Sequence, residues 1–512
     1  MPATQSGVSR FTVALEDELA TLRFMVDIAN AVEPGDMITL SGDLGAGKTT
    51  FARALIRFLA GDAAIAVPSP TFTLMQAYDL PRFPLVHADL YRLSSPDEMA
   101  ELGLDDLSDD TVVLVEWPER ALDYLPANRI DIAFTLAPQL GIEHRDVHVT
   151  GFGTMMPRVE RIGALRRFLH QAGCAMAERR RMQGDASTRV YERIRRDDQV
   201  AILMNSPRRA DGPAVRDGKP YSAIAHLAED VRSFVAMSGG LRDLGFSAPA
   251  IYEADLEHGF ILLEDFGTEP FTDGTPPAPI EARYAEALDL LAALHSQDLP
   301  ATLPLRDGAP YAIPAYDLDA FMIEAELLLD WYIPHRGLTI DDAARSEFVR
   351  LWRSALAPTL SGPQTWVLRD VHSPNLIWLP ERAGIQRVGL LDFQDALIGP
   401  SPYDVASLLQ DARVDVPESM ELSLLTRYAR IRRDGDAAFD MTGFIQIYAT
   451  MAAQRATKIL GIFARLDRRD RKPQYLRHMP RVWRYLQRAL AHAALTDLAA
   501  WYGINVPAFE EL

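Results

Sequence analysis

Apolar residues recur every three or four positions between Leu19 and Val32, the spacing of a helix with one buried face, and Glu33-Pro34-Gly35-Asp36 then reads as a turn. Met37–Ser41 is a short apolar run that enters a glycine-rich stretch, and Thr49–Leu59 returns to helical spacing. Pro84–Asp89 and Thr111–Glu116 are two more runs of strand length, each closing on a carboxylate. Ile130–Leu136 and Val147–Thr150 complete the set of strands. Alternating strands and helices predict an α/β layer over residues 1–150.

The pattern changes after a boundary predicted at Met155–Arg161. Ile162–Met182 reads as a basic helix whose arginines, among them Arg166, Arg167, Arg179, Arg180 and Arg181, form a solvated face, with an RNA-binding patch as the other reading. Strand-like segments return from Gly184 to about Glu264. A loop rich in Pro and Gly, Gly267–Pro279, leads into a mostly helical remainder. Two strand-like pieces, Thr365–Arg369 and Val388–Asp392, interrupt it.

Length and charge bound what such a chain does. At about 100–200 residues per domain, 512 residues predict two to four domains. The net charge of −19 disfavours a surface that grips a nucleic-acid backbone directly, so any role near RNA is expected to run through partner proteins. Cys174 is the one cysteine, which excludes an intrachain disulfide and a cysteine metal site; it is expected as an apolar filler in a helix. The N-terminus has no apolar signal core, and no apolar run reaches the ~18 residues of a membrane span. A cytoplasmic protein without a membrane segment is the expectation.

The first chemistry-bearing motif is Gly42-Asp43-Leu44-Gly45-Ala46-Gly47-Lys48-Thr49, with Thr50 behind it, set between a strand and a helix. It fits the G-x-x-x-x-G-K-[ST] phosphate loop in full. Glycines let backbone N–H groups wrap a phosphate, and the helix N-terminus adds a favourable dipole. Lys48 is expected on the outer phosphates of ATP, and Thr49 on Mg²⁺. Ser69-Pro70-Thr71-Phe72-Thr73 is placed like a switch that senses the γ-phosphate. Asp89 and Glu116 close their strands where a carboxylate meets the metal or orients water, and Trp117 is expected to pack.

In this order and spacing, Asp17–Leu22, GDLGAGKTT, SPTFTL, HADLYRL and VEWPE resemble the TsaE (YjeE) family over roughly residues 10–150. Those proteins are the small ATPase subunit of the machinery that makes threonylcarbamoyladenosine at position 37 of tRNA. The resemblance implies that Lys48 and Thr49 bind phosphate and Mg²⁺, that Asp89 and Glu116 serve nucleotide and metal, and that Thr71 belongs to the switch. It also places Thr21 near the nucleotide, and it implies the other protein subunits of that machinery as partners, with tRNA met only indirectly. The family often has Gly-Arg after its late strand; here Ile142 follows Gly141, and Arg145 stands as the substitute.

A second site lies far downstream. Asp370 and Asn375 carry a D-x-x-x-x-N spacing after a strand, and Asp392 ends the next one, in Leu390-Leu391-Asp392-Phe393-Gln394-Asp395. The pair matches the catalytic-loop and metal-loop logic of kinases: Asp370 takes the proton of an attacking hydroxyl, and Asn375 and Asp392 hold Mg²⁺ on ATP. Gly184–Arg189, with Ser187 and Arg189, is a candidate phosphate-covering loop, and Phe260–Asp265 a candidate hinge. Glu229 is a candidate for the helix that braces a kinase nucleotide site. The lysine of a kinase third strand is missing, because Leu203-Met204-Asn205 follows Val200-Ala201-Ile202.

GDASTRVYER, ILLEDFGT, EAELLLDWYIP, LRDVHSPNL, VGLLDFQDALIGPSPYDVASLLQDAR and QRATKILGIFARL resemble the aminoglycoside-phosphotransferase and choline-kinase-like superfamily. They are most similar to AmgK-like kinases of N-acetylmuramate and N-acetylglucosamine. The resemblance implies an amino-sugar substrate in cell-wall recycling, and carries the same Met at the lysine position. Glu324, Glu326, Asp330 and Trp331 are candidates for binding sugar hydroxyls. Asp404 is expected to brace the catalytic loop. Arg455 and Lys458, one helical turn apart, are expected on a solvated face, with a substrate carboxylate as the other reading.

The fold expectation is therefore an α/β P-loop NTPase domain over residues 1–157, followed over 158–512 by an α+β bilobal protein-kinase-like domain. Its N-lobe is set at about 184–265 and its C-lobe at about 280–512. Two alternatives stay open for the second domain: a kinase-like binding or regulatory module without catalysis, motivated by the missing lysine, and a phosphotransferase for another small hydroxyl substrate.

Overall fold

A computed structural model describes residues 8–93, 98, 103, 107–182, 189–209, 212–306 and 308–506. The chain divides into two compact units, Met1–Asn205 and Ser206–Leu512.

The first unit is built on a seven-stranded mixed sheet of order β1-β7-β6-β2-β5-β4-β3. Its strands are β1 (Ser9–Leu15), β2 (Met37–Gly42), β3 (Met75–Asp79), β4 (Pro84–Asp89), β5 (Val112–Glu116), β6 (Arg129–Leu136) and β7 (Arg145–Phe152). The central four, β6, β2, β5 and β4, run parallel. All five residues of β5 are buried, as expected of a parallel strand covered on both faces. The edge strands β1 and β3 pair antiparallel with their neighbours, as β7 does with β1 and β6.

Helices α1 (Glu18–Ala31) and α2 (Lys48–Ala60) pack on this sheet. Asp17 caps α1, its carboxylate accepting from the Ala20 N–H at 2.7 Å. Phe24 of α1 lies 5.5 Å from Phe51 of α2, and Phe51 lies 5.6 Å from Phe134 of β6, measured between ring centroids. All three rings are buried, and each contributes about 1.5–3 kcal/mol of apolar transfer.

The basic stretch after the sheet departs from expectation. Helix α3 (Met156–Gln171) spans the region predicted as a boundary and buries Val159, Ile162 and Leu165. It stops at Gly173, whose φ of +68° ends the helix at little cost. Glu178–Arg181 then forms strand β8, not the end of a helix, and pairs antiparallel with β9 (Val190–Arg196), which pairs with β10 (Gln199–Asn205). The reason lies at Arg179, which turns inward to buried carboxylates and is not solvated. Cys174 fills a buried site as expected, but in the turn after α3.

In the second unit helix α4 (Arg232–Asp243) interrupts the stretch expected to be strands. The hairpin β11 (Ile251–Asp255) and β12 (Phe260–Glu264) follows, then α5 (Glu281–His295), α6 (Leu318–Ala325) and α7 (Asp342–Ser361). Four short strands come next: β13 (Thr365–Val367), β14 (Leu376–Trp378), β15 (Val388–Leu390) and β16 (Leu397–Gly399). They pair antiparallel as β13 with β16 and β14 with β15, which brings the two kinase-like loops together. The remainder is helical: α8 (Pro402–Leu409), α9 (Glu418–Gly435), α10 (Met441–Arg468), α11 (Met479–Leu490) and α12 (Thr496–Asn505). Helix α10 is the axis of this half and is buried nearly all round between Tyr448 and Gly461.

Candidate active sites

In the first unit β2 runs into the glycine loop and α2 begins at Lys48. Gly42 has φ +131°, and a Cβ there would lie 2.3 Å from the Phe134 carbonyl oxygen, so only glycine fits. The Lys48 Nζ donates to the carbonyls of Gly42 at 2.6 Å and Asp43 at 3.0 Å. It also lies 3.5 Å from the centre of the Trp117 ring. Trp117 holds a left-handed backbone, φ +59°, rare for a bulky residue. It therefore does more than pack: its ring face receives the lysine cation. Burial pulls the Lys48 pKa below the usual lysine range, against the raising influence of Glu116 and Glu119.

Parallel pairing of β4 with β5 sets Asp89 directly beside Glu116 at the carboxyl end of the sheet. Glu116 is buried; its Oε2 accepts from the Thr49 hydroxyl at 2.7 Å and its Oε1 lies 3.0 Å from His87 Nε2. Asp89 Oδ2 accepts from the hydroxyls of Ser69 at 2.8 Å and Thr71 at 3.0 Å, and its Oδ1 from the Tyr91 N–H at 3.0 Å. Thr71 is thus tied to Asp89, and Thr49 to Glu116. Arg145 joins them, donating from Nε to the Ala46 carbonyl at 3.3 Å. Asp43, Leu44, Gly45 and Thr50 are exposed, and Ala46 is buried under the loop. Thr21 donates to the Asp17 carbonyl in the first turn of α1.

The second site is assembled by loops. The Asn375 Nδ2 donates to the Asp370 carbonyl at 3.0 Å and reaches Asp392 Oδ2 at 3.4 Å. Asp392 (φ +57°) accepts at Oδ1 from Gln394 Nε2, 2.8 Å away. Asp370, Asn375 and Asp392 therefore converge as the motif spacing requires. Beneath them lie buried carboxylates. Asp404 accepts from the N–H groups of Leu368 at 2.6 Å and Arg369 at 2.8 Å, as expected of a brace. Asp411 accepts from the Ser373 N–H at 2.8 Å and from its hydroxyl.

The electrostatics favour an ionised base. Burial alone would raise the Asp370 pKa, but Lys458, His372 and Arg369 together hold it below the ordinary carboxylate range. His372 is pushed down by burial and by Arg413, whose guanidinium lies 3.1 Å from its Nε2.

Three sequence expectations change here. Lys458 and Arg455 are buried inside α10, not solvated: Lys458 Nζ lies 2.8 Å from Glu324 Oε1 and donates to the Tyr403 hydroxyl at 3.2 Å. Glu324 is wholly enclosed, ion-paired also with buried Arg369 and bonded to the Tyr316 hydroxyl and the Gln454 amide. Both its oxygens are committed, so it supports the catalytic loop from below and does not face a sugar. Glu229 precedes α4, not within any helix, and pairs with Arg208 at 3.3 Å.

Of the remaining sugar candidates, Glu326 pairs with Arg216 at 2.6 Å, Asp330 pairs with Arg345, and Trp331 is half-buried. Arg189 stands half-buried just before β9 in the first unit, and Ser187 lies outside the described residues. Sequence reasoning missed Asp411, Gln394 and the Arg369–Glu324–Lys458 cluster. The available signal was charge inside otherwise apolar runs.

The sequence profile described as Threonylcarbamoyl adenosine biosynthesis protein TsaE matches residues 15–144, and that of the phosphotransferase enzyme family matches residues 178–440. An N-acetylmuramate/N-acetylglucosamine kinase of Caulobacter vibrioides is 37% identical over 361 residues, which cover 68% of this chain and 97% of that protein. The protein of the same name from Pseudomonas aeruginosa is 33% identical over 310 residues, covering 60% of this chain and 82% of it. A tRNA threonylcarbamoyladenosine biosynthesis protein TsaE of Rickettsia bellii is 39% identical over 122 residues, covering 24% of this chain and 84% of it.

Proposed function

The chain belongs to the phosphotransferase enzyme family and carries a TsaE domain ahead of it, and from that premise we propose a bifunctional ATP-using protein. The second half phosphorylates the anomeric hydroxyl of N-acetylmuramate or N-acetylglucosamine. The first half is the ATPase that supports threonylcarbamoyl modification of tRNA adenosine 37 with the other subunits of that machinery.

One observation carries the kinase reading: Asn375 bridges the backbone of Asp370 and the carboxylate of Asp392, while the surrounding cations keep Asp370 ionised. Asp370 accepts the sugar hydroxyl proton as the new O–P bond forms and the bond from the γ-phosphorus to ADP breaks. The donor set suits Mg²⁺, because an Asn amide and an Asp carboxylate offer hard oxygens. Bound there, the ion would offset phosphate charge. At the first site Lys48 would serve the phosphates, Thr49 and Glu116 the metal, and Asp89 would hold the switch through Ser69 and Thr71. Ser187 and Arg189 are proposed on the phosphates of the second ATP, and Glu326 and Trp331 near the sugar.

Steady-state phosphorylation of a panel of amino sugars by the full chain with Mg²⁺-ATP, with Asp370→Asn as control, tests this. Turnover that disappears in the variant supports it; a wild type that phosphorylates no sugar points to the binding-module reading motivated by Met204. For the first half, Lys48→Ala should abolish support of threonylcarbamoyladenosine formation in a reconstituted system, and a variant that retains full support would remove that assignment.

No helix among the described residues is long and apolar enough to cross a membrane. A cytoplasmic location is proposed with the rest.

A further inference from the structure

In the first unit β4 and β5 run parallel with His87 opposite Leu114 and Asp89 opposite Glu116. Side chains two apart on a strand share a face, so His87 stands on the face of Asp89, one step back from the end of the sheet. Its neighbours on the strand, Leu85, Val86 and Ala88, are buried apolar residues, and the ring itself is 0% exposed. Its one hydrogen bond is to Glu116: Nε2 lies 3.0 Å from Oε1. The other oxygen of Glu116, Oε2, accepts from the Thr49 hydroxyl.

An ionised carboxylate only accepts, so the proton between His87 and Glu116 belongs to Nε2. Nδ1 is buried with no hydrogen-bond partner among the described residues. A proton there would be a buried donor without an acceptor, so Nε2 carries the proton alone. An imidazole enclosed with one nitrogen unpaired is a poor filler, because a leucine would occupy the space and orphan no polar atom. What the ring supplies and leucine cannot is the donor behind Glu116. A carboxylate held at one oxygen can turn about its last side-chain bond, and a second bond removes that freedom. The Glu116 carboxylate and the Thr49 hydroxyl are hard oxygen groups of the kind that suits Mg²⁺.

We propose that His87 is a positioning residue for ATP hydrolysis at the P-loop: its Nε2–H holds the Glu116 carboxylate turned toward Thr49, ready for Mg²⁺. The proposal rests on the reading above, in which Glu116 serves the metal. His87 is enclosed, and it acts only through Glu116.

The test uses the full chain carrying Asp392→Ala, which removes the metal carboxylate proposed for the second ATP. A fluorescent ATP analogue is titrated with and without Mg²⁺, and ATP hydrolysis is followed in parallel. His87→Leu should raise the Mg²⁺ concentration that half-maximally tightens binding by about 10–100-fold and lower kcat in the same range, with metal-free affinity within about twofold. His87→Gln keeps an amide N–H near the place of Nε2 and should recover most of both. His87→Asn puts its amide nearer the place of Nδ1 and should not. Arg158→Gln is the control, because Arg158 pairs with Glu33 and Asp36 just before β2, at the other end of the parallel strands. It should lower the melting temperature and leave the Mg²⁺ requirement unchanged. The proposal is overturned if His87→Leu lowers only the melting temperature, or if His87→Gln is no better than His87→Asn. That second comparison carries the test if His87→Leu does not fold. A starting chain whose ATP binding and hydrolysis ignore Mg²⁺ overturns the ATPase reading and this role together, which separates the two failures.

Discussion

The two candidate sites are held in place by different means. Around Lys48 the work falls to the backbone: a strand, a turn that only glycine fits at Gly42, and a helix start. Its side chains meet close to the loop that presents them, Thr49 with Glu116 and Lys48 with Trp117. Around Asp370 the loops have little regular structure, and buried charges hold them: Asp404 and Asp411 on backbone N–H groups, and Glu324 on Arg369 and Lys458. A phosphate loop specified by backbone geometry needs few distant residues. A loop pinned by side-chain ions depends on partners scattered over the whole second unit.

The largest expected effect tests whether the sites are separable at all. Asp370→Asn should lower sugar phosphorylation by about 10²–10⁴-fold, the usual worth of a positioned base, while ATP hydrolysis at the P-loop stays within about twofold. Parallel loss of both activities would break the comparison at its root.

The second effect addresses what pins the catalytic loop. Glu324→Gln leaves Arg369 and Lys458 buried without their shared carboxylate, and should cost about 3–5 kcal/mol of stability, read from a denaturant midpoint. Thr49→Ala in the first site removes one hydrogen bond to a charged group and should cost about 1.5–3 kcal/mol. Equal losses would mean that the contrast between backbone-held and ion-held sites has no energetic content.

These same differences explain what was legible in the sequence. The phosphate loop is contiguous, its residue types are dictated by local geometry, and its strand and helix could be read from periodicity. Asp370, Asn375 and Asp392 were legible because chemistry fixes their spacing. The braces were not. Glu324 and Lys458 lie in separate helices and become a pair only when α10 packs against the end of α6. Nothing local distinguishes a buried charge from a solvated one. The arginine run at Arg179–Arg181 failed for that reason: its inward member is decided by Asp27, far upstream, and Gly173 ends the helix before it. Trp117 belongs between the classes, since its motif was visible but its left-handed backbone and its place over Lys48 were not.

That residue gives the third prediction. A cation against an aromatic face contributes about 0.5–2 kcal/mol, so Trp117→Leu should weaken ATP binding at the first site roughly twofold to thirtyfold. Binding of a fluorescent ATP analogue to a chain that also carries Asp392→Ala, which removes the metal carboxylate proposed for the second ATP, measures it. An unchanged affinity would return Trp117 to simple packing and leave the first site wholly backbone-held.

The smallest effect concerns pH, and it tests whether the buried cations act on the base as well as on the fold. Asp370 must be ionised to accept a proton, so phosphorylation is lost as pH falls through its pKa. That pKa is depressed, so the acid limb of the wild type should lie below the ordinary carboxylate value of about 4. Among the influences that lower it, Lys458 is the largest. Lys458→Met should therefore shift the acid limb of kcat upward, towards neutrality, and Arg455→Met should shift it less, since the charge of Arg455 acts on Asp370 more weakly than that of Lys458. A loss of rate that is uniform across pH would mean that Lys458 only supports the loop. A limb that moves would make the ion cluster beneath Asp370 part of its chemistry, a role for which the backbone-held site has no counterpart.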